Sequence, residues 1–257
     1  MNHRIVIKVG SNVLTRSDGK LDVTRMSALV DQIAWLRQEG YEVILVSSGA
    51  MASGRGELKV SHSLDSVEQR QLFSAVGQVK LIGLYYDLFR EFNIHIGQVL
   101  TMKENFQPGE QYENQRACMT VMLENGVLPI VNENDTVSVT ELMFTDNDEL
   151  SGLIAQMMKA ETLVLLSNID GIYDGHPDDP QSSIISQVLP GTDLSQYIKE
   201  EKSAFGRGGM HSKYTTAQKV QQQGIRVIIA NGERDNILID LVKDGQNVPH
   251  TEFIPCN

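Results

Sequence analysis

Residues 128–150 read LPIVNENDTVSVTELMFTDNDEL. An apolar strand is expected over Val127 to Val131, and at its end the chain turns to Asn132-Glu133-Asn134-Asp135. A second acidic cluster, Asp146-Asn147-Asp148-Glu149, precedes the helical spacing Leu150, Leu153, Ile154, Met157, Met158. In open α/β sheets, ligands bind beyond the carboxyl ends of parallel strands. Polar groups at a strand end and at a helix start therefore read as two walls of one site. Each cluster alone also reads as turn chemistry, since Asn and Asp favour turns and Asp146 can cap the helix. Three further strand ends tip the balance toward a site.

The first is the end of a buried strand, Arg4 to Val9, which runs into Lys8-Val9-Gly10-Ser11-Asn12. Gly10 permits a tight turn and close backbone approach to a ligand. Lys8 is either a lysine whose stem lies along apolar surface or a cation delivered to phosphate. The second follows Tyr41 to Val46 and reads Ser47-Ser48-Gly49-Ala50, small residues ahead of a short helix whose N–H groups suit a carboxylate or phosphate. The third follows the apolar run Thr162 to Leu166 and begins Ser167-Asn168. Further on, residues 203–213 read SAFGRGGMHSK. This matches neither the P-loop nor the dinucleotide fingerprint. It offers the same parts nonetheless: a glycine loop, a helix starting at about Met210, and Lys213 in its first turn, all suited to polyphosphate.

Between these ends the periodicity predicts helices at Leu21 to Glu39, with Met26, Leu29, Val30, Ile33 and Leu36 on one face and Gly40 as the stop. A long helix is expected at about Val67 to Phe92, with Leu72, Phe73, Val76, Val79, Leu84, Leu88 and Phe89 inward. Another is expected at about Glu110 to Asn125, after a strand at Ile94 to Thr101. Val137 to Phe144 alternates and suggests an exposed strand or hairpin beside the site, and Asp174 to Pro180 reads as a solvated loop. Ile225 to Ala230 and Val248 to Ile254 are further strands. The first half alternates β-α-β-α-β-α-β, which predicts a parallel sheet with helices on both faces.

The 257 residues, 41% hydrophobic, suit one large α/β domain or two small ones. The formal charge of −11, without a basic stripe, argues against nucleic acid as the main partner. Cys118 and Cys256 form no C-x-x-C pair and no disulfide framework, which suits a reducing cytoplasm. The neighbours of Cys118, namely Ala117, Met119, Val121 and Met122, place it in a helix core. The N-terminal apolar run is too short for a signal peptide, and no segment approaches the length of a membrane span. No His- or Cys-rich constellation suggests a transition metal, and Ser48 has no evident His-Asp partner for a hydrolase triad. Separated lysines, glycine-rich turns and acids with amides instead suit phosphoryl transfer, which needs chiefly positioning and charge neutralisation. In such a site the acids hold Mg²⁺ or a substrate ammonium.

The segments IVIKVGSNVLT from Ile5, VSSGAMASGR from Val46, AVGQ from Ala75, VNENDTV from Val131, DNDELS from Asp146 and GGMHSK from Gly208 resemble the amino acid kinase family, in the form of its glutamate 5-kinase branch. The resemblance extends over essentially the whole chain. It implies a three-layer α/β/α sandwich with a central, mostly parallel sheet of about eight strands. It implies transfer of a phosphoryl group from ATP, with Mg²⁺, to the γ-carboxylate of L-glutamate, the first step of proline biosynthesis, in the cytoplasm. Feedback inhibition by L-proline and a homo-oligomer, a dimer or tetramer, are also implied. Carried over by position, Lys8 and Lys213 flank the transferred phosphoryl and Asp148 holds those lysines. Ser48, Gly49, Asp135 and Asn147 bind glutamate, with Asp135 meeting its ammonium. Lys8, Gly10, Ser167, Asn168, Arg207, Gly208, Gly209, Met210 and Lys213 bind ATP, and no protein ligand to a metal is implied. The resemblance makes 1–257 a single kinase domain, with residues to about 160 for glutamate and about 161–257 for ATP. It also places the end of the chain at the end of that domain, without the C-terminal PUA domain of many members. Two departures lie at the nucleotide side: Ser167-Asn168 stands where the family commonly has Thr-Asp, and Arg207 where it has Thr. The competing readings are another member of the superfamily acting on a different acid or phosphate, and a sensor that binds glutamate, proline or nucleotide without turnover.

Overall fold

The computed structural model describes residues 3–138, 143–198, 209–243 and 245–256. Eight strands form one sheet: β1 (Arg4–Val9), β2 (Glu42–Ser47), β3 (Ile96–Thr101), β4 (Leu128–Glu133), β5 (Thr162–Ser167), β6 (Gln187–Val188), β7 (Arg226–Asn231) and β8 (His250–Phe253). Their order is β3-β4-β2-β1-β5-β7-β8-β6. Neighbours run parallel apart from the antiparallel pair β7 and β8. The helices are α1 (Ser11–Leu14), α2 (Val23–Gln38), α3 (Ala50–Glu57), α4 (Ser66–Arg90), α5 (Glu110–Glu124), α6 (Asn147–Met157), α7 (Met210–Gln221) and α8 (Ile237–Lys243).

The central strands are near-continuous apolar runs because helices cover both faces. Alternation then sorts their side chains into two cores. Ile5, Ile7 and Val9 of β1 pack with Leu29 and Ile33 of α2, Leu81 and Phe89 of α4, and Leu238 of α8. Val6 faces the other way, with Ile154 of α6 and Ala217 of α7. This is the three-layer sandwich expected. Lys8 shares the face of Val6, so β1 aims it at the layer holding α6 and α7. None of the described helices is long and apolar enough to cross a membrane.

Three expectations need correction, and a fourth is left open. Strand β4 runs on through Asn132 and Glu133, both buried, rather than turning at Asn132. The ladder with β3 extends to the pair Thr101 and Glu133, and the charge of Glu133 is met by an arginine described below. On α4, Leu72 and Val79 are exposed, and the inward face is Arg70, Phe73, Ser74, Gly77, Leu81, Tyr85 and Phe89. Cys118 is exposed, because α5 flanks the edge strand β3 and buries only Met119. The strand or hairpin expected over Val137 to Phe144 falls partly outside the described residues; within them Val137 is exposed and Ser138 and Phe144 are buried. The short elements α1, α8 and β6 carry no sequence pattern strong enough to have been singled out.

Small residues on α4 have a geometric purpose. A Cβ on Gly77 would lie 1.7 Å from the carbonyl oxygen of Ala50, and one on Gly54 would lie 1.9 Å from that of Phe73. Helices α3 and α4 therefore cross backbone on backbone, and the crossing fixes the turn that precedes α3. Gly83, on the same helix, meets nothing within 4 Å. The Gly77→Ala change is expected to destabilise by about 3 kcal/mol, at the upper end for overpacking. Gly83→Ala should instead stabilise by about 0.5–1 kcal/mol through helix propensity. Urea unfolding of both variants checks this: equal shifts would show that the crossing is not set at Gly77.

Candidate active site

The carboxyl ends of β1, β2, β4 and β5 open into one cavity of about 1530 Å³. Strand β1 brings Lys8 and Gly10 to it, β2 brings Ser48 and Gly49, and β4 brings Asn132 and Asp135. Strand β5 brings Ser167 and Asn168, the start of α6 brings Asp146 and Asn147, and the start of α7 brings Gly209, Met210 and Lys213. The turn out of β2 depends on Gly49, whose φ of +104° is a left-handed conformation that side chains rarely adopt. Of the residues carried over from the family, those within the described segments line this one cavity, apart from Asp148. Arg207 and Gly208 lie outside the described residues.

Asp148 stands directly behind the wall. It is fully buried in the first turn of α6. Its Oδ1 lies 2.6 Å from Lys8 Nζ, and its Oδ2 accepts from Lys213 Nζ at 3.1 Å. Both lysines are themselves nearly buried, at 5% and 8% exposure. A buried charge of this kind persists only when it is paired and hydrogen-bonded. Burial works against the Asp148 carboxylate, yet the two lysines outweigh it and hold its pKa below the ordinary value. Burial lowers the pKa of Lys8, with Asp148 opposing the shift and Lys213 adding to it. The three groups together leave one positive charge at this end of the cavity.

Asp146 sets the direction of α6. Its Oδ1 accepts from the N–H groups of Asp148 and Glu149, which is an N-cap. The capping alternative read from the sequence is thus correct, and it coexists with a place in the cavity wall. Burial, followed by the neighbouring charge of Asp148, raises the pKa of Asp146.

At the opposite end, Asn147 Nδ2 donates to Ser48 Oγ at 2.9 Å and to Asn132 Oδ1 at 3.0 Å. Asn132 Nδ2 donates in turn to Gln78 Oε1 on α4. Ser48 thus has an amide partner and no His-Asp pair. Asp135 is 14% exposed at its side chain and is held by Arg70 of α4, whose Nε donates to Asp135 Oδ1 at 2.7 Å. The same guanidinium lies 2.9 Å from Glu133 Oε2. The cluster expected as a wall supplies Asn132 and Asp135 to the cavity, whereas Arg70 and its pairing with Glu133 were not expected from the sequence. The available signals were an arginine on the inward face of a helix and a glutamate continuing an apolar strand.

Beyond Ser167, the cavity is lined by Asn168, Tyr173, Pro177, Tyr197 and Ile198. His211 is exposed in the first turn of α7. Among the described residues, no group of three or more His, Cys, Asp or Glu side chains is placed to hold a metal ion.

Comparison with known proteins places this geometry. A model of the amino acid kinase family matches residues 3–231. The glutamate 5-kinase of Bacteroides thetaiotaomicron is 66% identical over 98% of this chain and 70% of its own length. That of Chlorobaculum tepidum is 47% identical over 98% of this chain and 69% of its own. That of Clostridium acetobutylicum is 36% identical, covering 99% of this chain and 96% of its own. Among solved structures, carbamate kinase from Giardia lamblia bound to AMP-PNP superposes with a TM-score of 0.71 at 17% identity, covering 99% of each chain. UMP kinase from Ureaplasma parvum gives 0.65 at 18%, also over 99% of each. At these identities the two structures speak for the fold alone.

One prediction concerns Asp146. Its raised pKa means that the folded state prefers the protonated carboxyl, so its charge opposes folding once the pH exceeds that raised value, and has no effect well below the ordinary 3.8. Asp146→Asn keeps a capping oxygen and removes the charge. This variant should match or exceed the parent's melting temperature at neutral pH and lose that advantage on acidification. Asp146→Ala should lose about 1 kcal/mol with the cap. Thermal melts across the acid-to-neutral range check both, and an Asn variant as unstable as the Ala variant would mean the charge is needed for the fold.

Proposed function

The chain belongs to the amino acid kinase family, and on that premise we propose that it phosphorylates the γ-carboxylate of L-glutamate from ATP, giving L-glutamyl 5-phosphate and ADP, the first step of proline biosynthesis. The observation that carries this reading is the Lys8–Asp148–Lys213 bridge facing a set of amide, hydroxyl and carboxylate groups across one cavity. The identity of 66% to a glutamate 5-kinase over almost the whole chain supports the choice of acceptor.

The acceptor carboxylate is ionised at neutral pH and is itself the nucleophile, so no general base is needed. Its oxygen forms the new bond to the γ-phosphorus while the bond to the bridging oxygen breaks, and the electron pair leaves on ADP. Lys8 and Lys213 neutralise the charge spread over the oxygens of the moving phosphoryl. Asp148 keeps the two ammonium groups together. Ser48, Gly49 and Asn147 hold the glutamate, and Asp135 meets its ammonium. Gly10, Ser167, Asn168, Gly209 and Met210 hold the nucleotide, and the family resemblance assigns Arg207 and Gly208, outside the described residues, to the same role. In this assignment, residues up to about 160 supply the acceptor walls and the remainder supplies most of the nucleotide walls. Mg²⁺ would enter with the nucleotide, held mainly by phosphate oxygens and water, the usual mode for this ion. When bound there, it supplies further neutralisation of the phosphates. The family resemblance extends the proposal to L-proline as feedback inhibitor and to a homo-oligomeric, cytoplasmic enzyme.

The direct test is ADP release with Mg-ATP and L-glutamate, trapping the acyl phosphate with hydroxylamine beside aspartate and N-acetylglutamate controls. Glutamate-dependent ADP release with matching hydroxamate is expected; binding of glutamate and ATP without release would instead mark a sensor. Lys213→Ala should lower kcat by roughly 10²–10³, the loss typical of one transition-state donor, with the fold intact. Near-normal turnover in that variant would remove Lys213 from the mechanism.

A further inference from the structure

The start of α4 grips the loop that carries Asp135 at several points. Arg70 Nε donates to Asp135 Oδ1 at 2.7 Å, and its Nη2 lies 2.7 Å from the same oxygen. That Nη2 also lies 2.9 Å from Glu133 Oε2, and Nη1 meets the sulfur of Met143. The next residue, Gln71, donates to the carbonyl of Thr136 at 2.8 Å. One turn beyond the following one, Gln78 accepts from Asn132. Glu133 carries the grip further, because its Oε1 accepts from the N–H of Phe144, just ahead of the α6 cap. Arg70 is only 8% exposed, yet it lines the same cavity as Asp135.

The chemistry of this cluster differs from that of the lysine bridge. Two carboxylates share one guanidinium, which leaves one negative charge among these three groups. Across the same cavity Lys8 and Lys213 share Asp148, with Asp146 beside them in the wall. The ammonium of an acceptor complements the negative cluster that Arg70 holds. The guanidinium fork also matters for geometry. A planar Arg holds two carboxylates in fixed directions, whereas without it two neighbouring carboxylates repel.

We propose that Arg70 is a specificity-determining positioning residue: by clamping Asp135 and Glu133 it sets the place where the ammonium of the acceptor is recognised. Arg70 does not touch the reacting atoms and acts through Asp135. The inference rests on the reading of the chain as a kinase of L-glutamate. Arg70→Met should raise the KM for L-glutamate by about tenfold or more, the equivalent of one charge-assisted hydrogen bond. The KM for ATP should stay within about twofold, and Arg70→Lys should recover only part of the loss, because it returns the charge without the planar fork.

The experiment measures kcat and KM for L-glutamate and for glutarate, which keeps the reacting carboxylate and lacks the ammonium. It uses the parent chain, both Arg70 variants, Asp135→Asn and the Arg70→Met/Asp135→Asn double variant, with far-UV circular dichroism on each. The preference for glutamate over glutarate should fall in Arg70→Met, and the double variant should be no worse than Asp135→Asn alone, as coupled residues behave. The proposal is overturned if Arg70→Met lowers turnover of both acceptors equally, if its effect adds fully to that of Asp135→Asn, or if both Arg70 variants lose the fold. Absence of glutamate turnover in the parent chain would instead overturn the functional reading on which it rests.

Discussion

Two ammonium groups, one from β1 and one from α7, meet across a carboxylate that has no contact with solvent. Burial and the like charge of Lys213 both disfavour the ammonium form of Lys8, and Asp148 opposes them. Three elements must therefore arrive together. Strand β1 sits in the middle of the sheet, between β2 and β5, which makes Lys8 the least movable of the three. Helix α6 brings Asp148 in its first turn, where the helix N-terminus favours an anion and Asp146 holds the cap. Helix α7 brings Lys213 within reach because α6 has Gly152 at the contact: a Cβ there would lie 2.9 Å from Thr216 and 3.0 Å from Val220. A single missing methyl group thus helps to set the separation of two charges.

The other end of the cavity depends on a different helix. Helix α4 lies close to α3 through Gly54 and Gly77 and presents Arg70, Gln71 and Gln78 to the loop after β4. The Asn147 amide then joins the two ends. It follows the α6 cap and donates to Ser48 beyond β2 and to Asn132 in β4. Any shift of α6 is consequently felt by the lysines and by Ser48 and Asn132 alike. Packing and charge are not separable here: the helix crossings decide where the charges stand, and the paired charges make the buried crossings tolerable.

The sheet was readable from short stretches because its strands are apolar on both faces, and alternating helices leave few other topologies. Lys8, Gly10, Ser48, Asn147 and Lys213 were readable for a related reason: each stands at the end of a strand or the start of a helix, where a polar residue has no packing role. The misreadings share one cause. Apolar residues at helical spacing put Leu72 and Val79 inward, and apolar neighbours put Cys118 there, but α4 uses glycine and serine on its close face and α5 buries only Met119.

Local pattern settles what depends on neighbours a few residues away: the strand and helix alternation, the turns at Gly10 and Gly49, the cap at Asp146, and with them the α/β class and the side of the sheet on which a ligand lies. Tertiary structure alone decided which residues share a charge. Arg70 is 63 residues from Glu133 and 65 from Asp135, Asp148 is 65 from Lys213, and Lys8 is 140 from Asp148. No helical or strand period links such positions. Their pairing exists only where two helix crossings bring backbones into contact and exclude the water that would otherwise screen each charge separately.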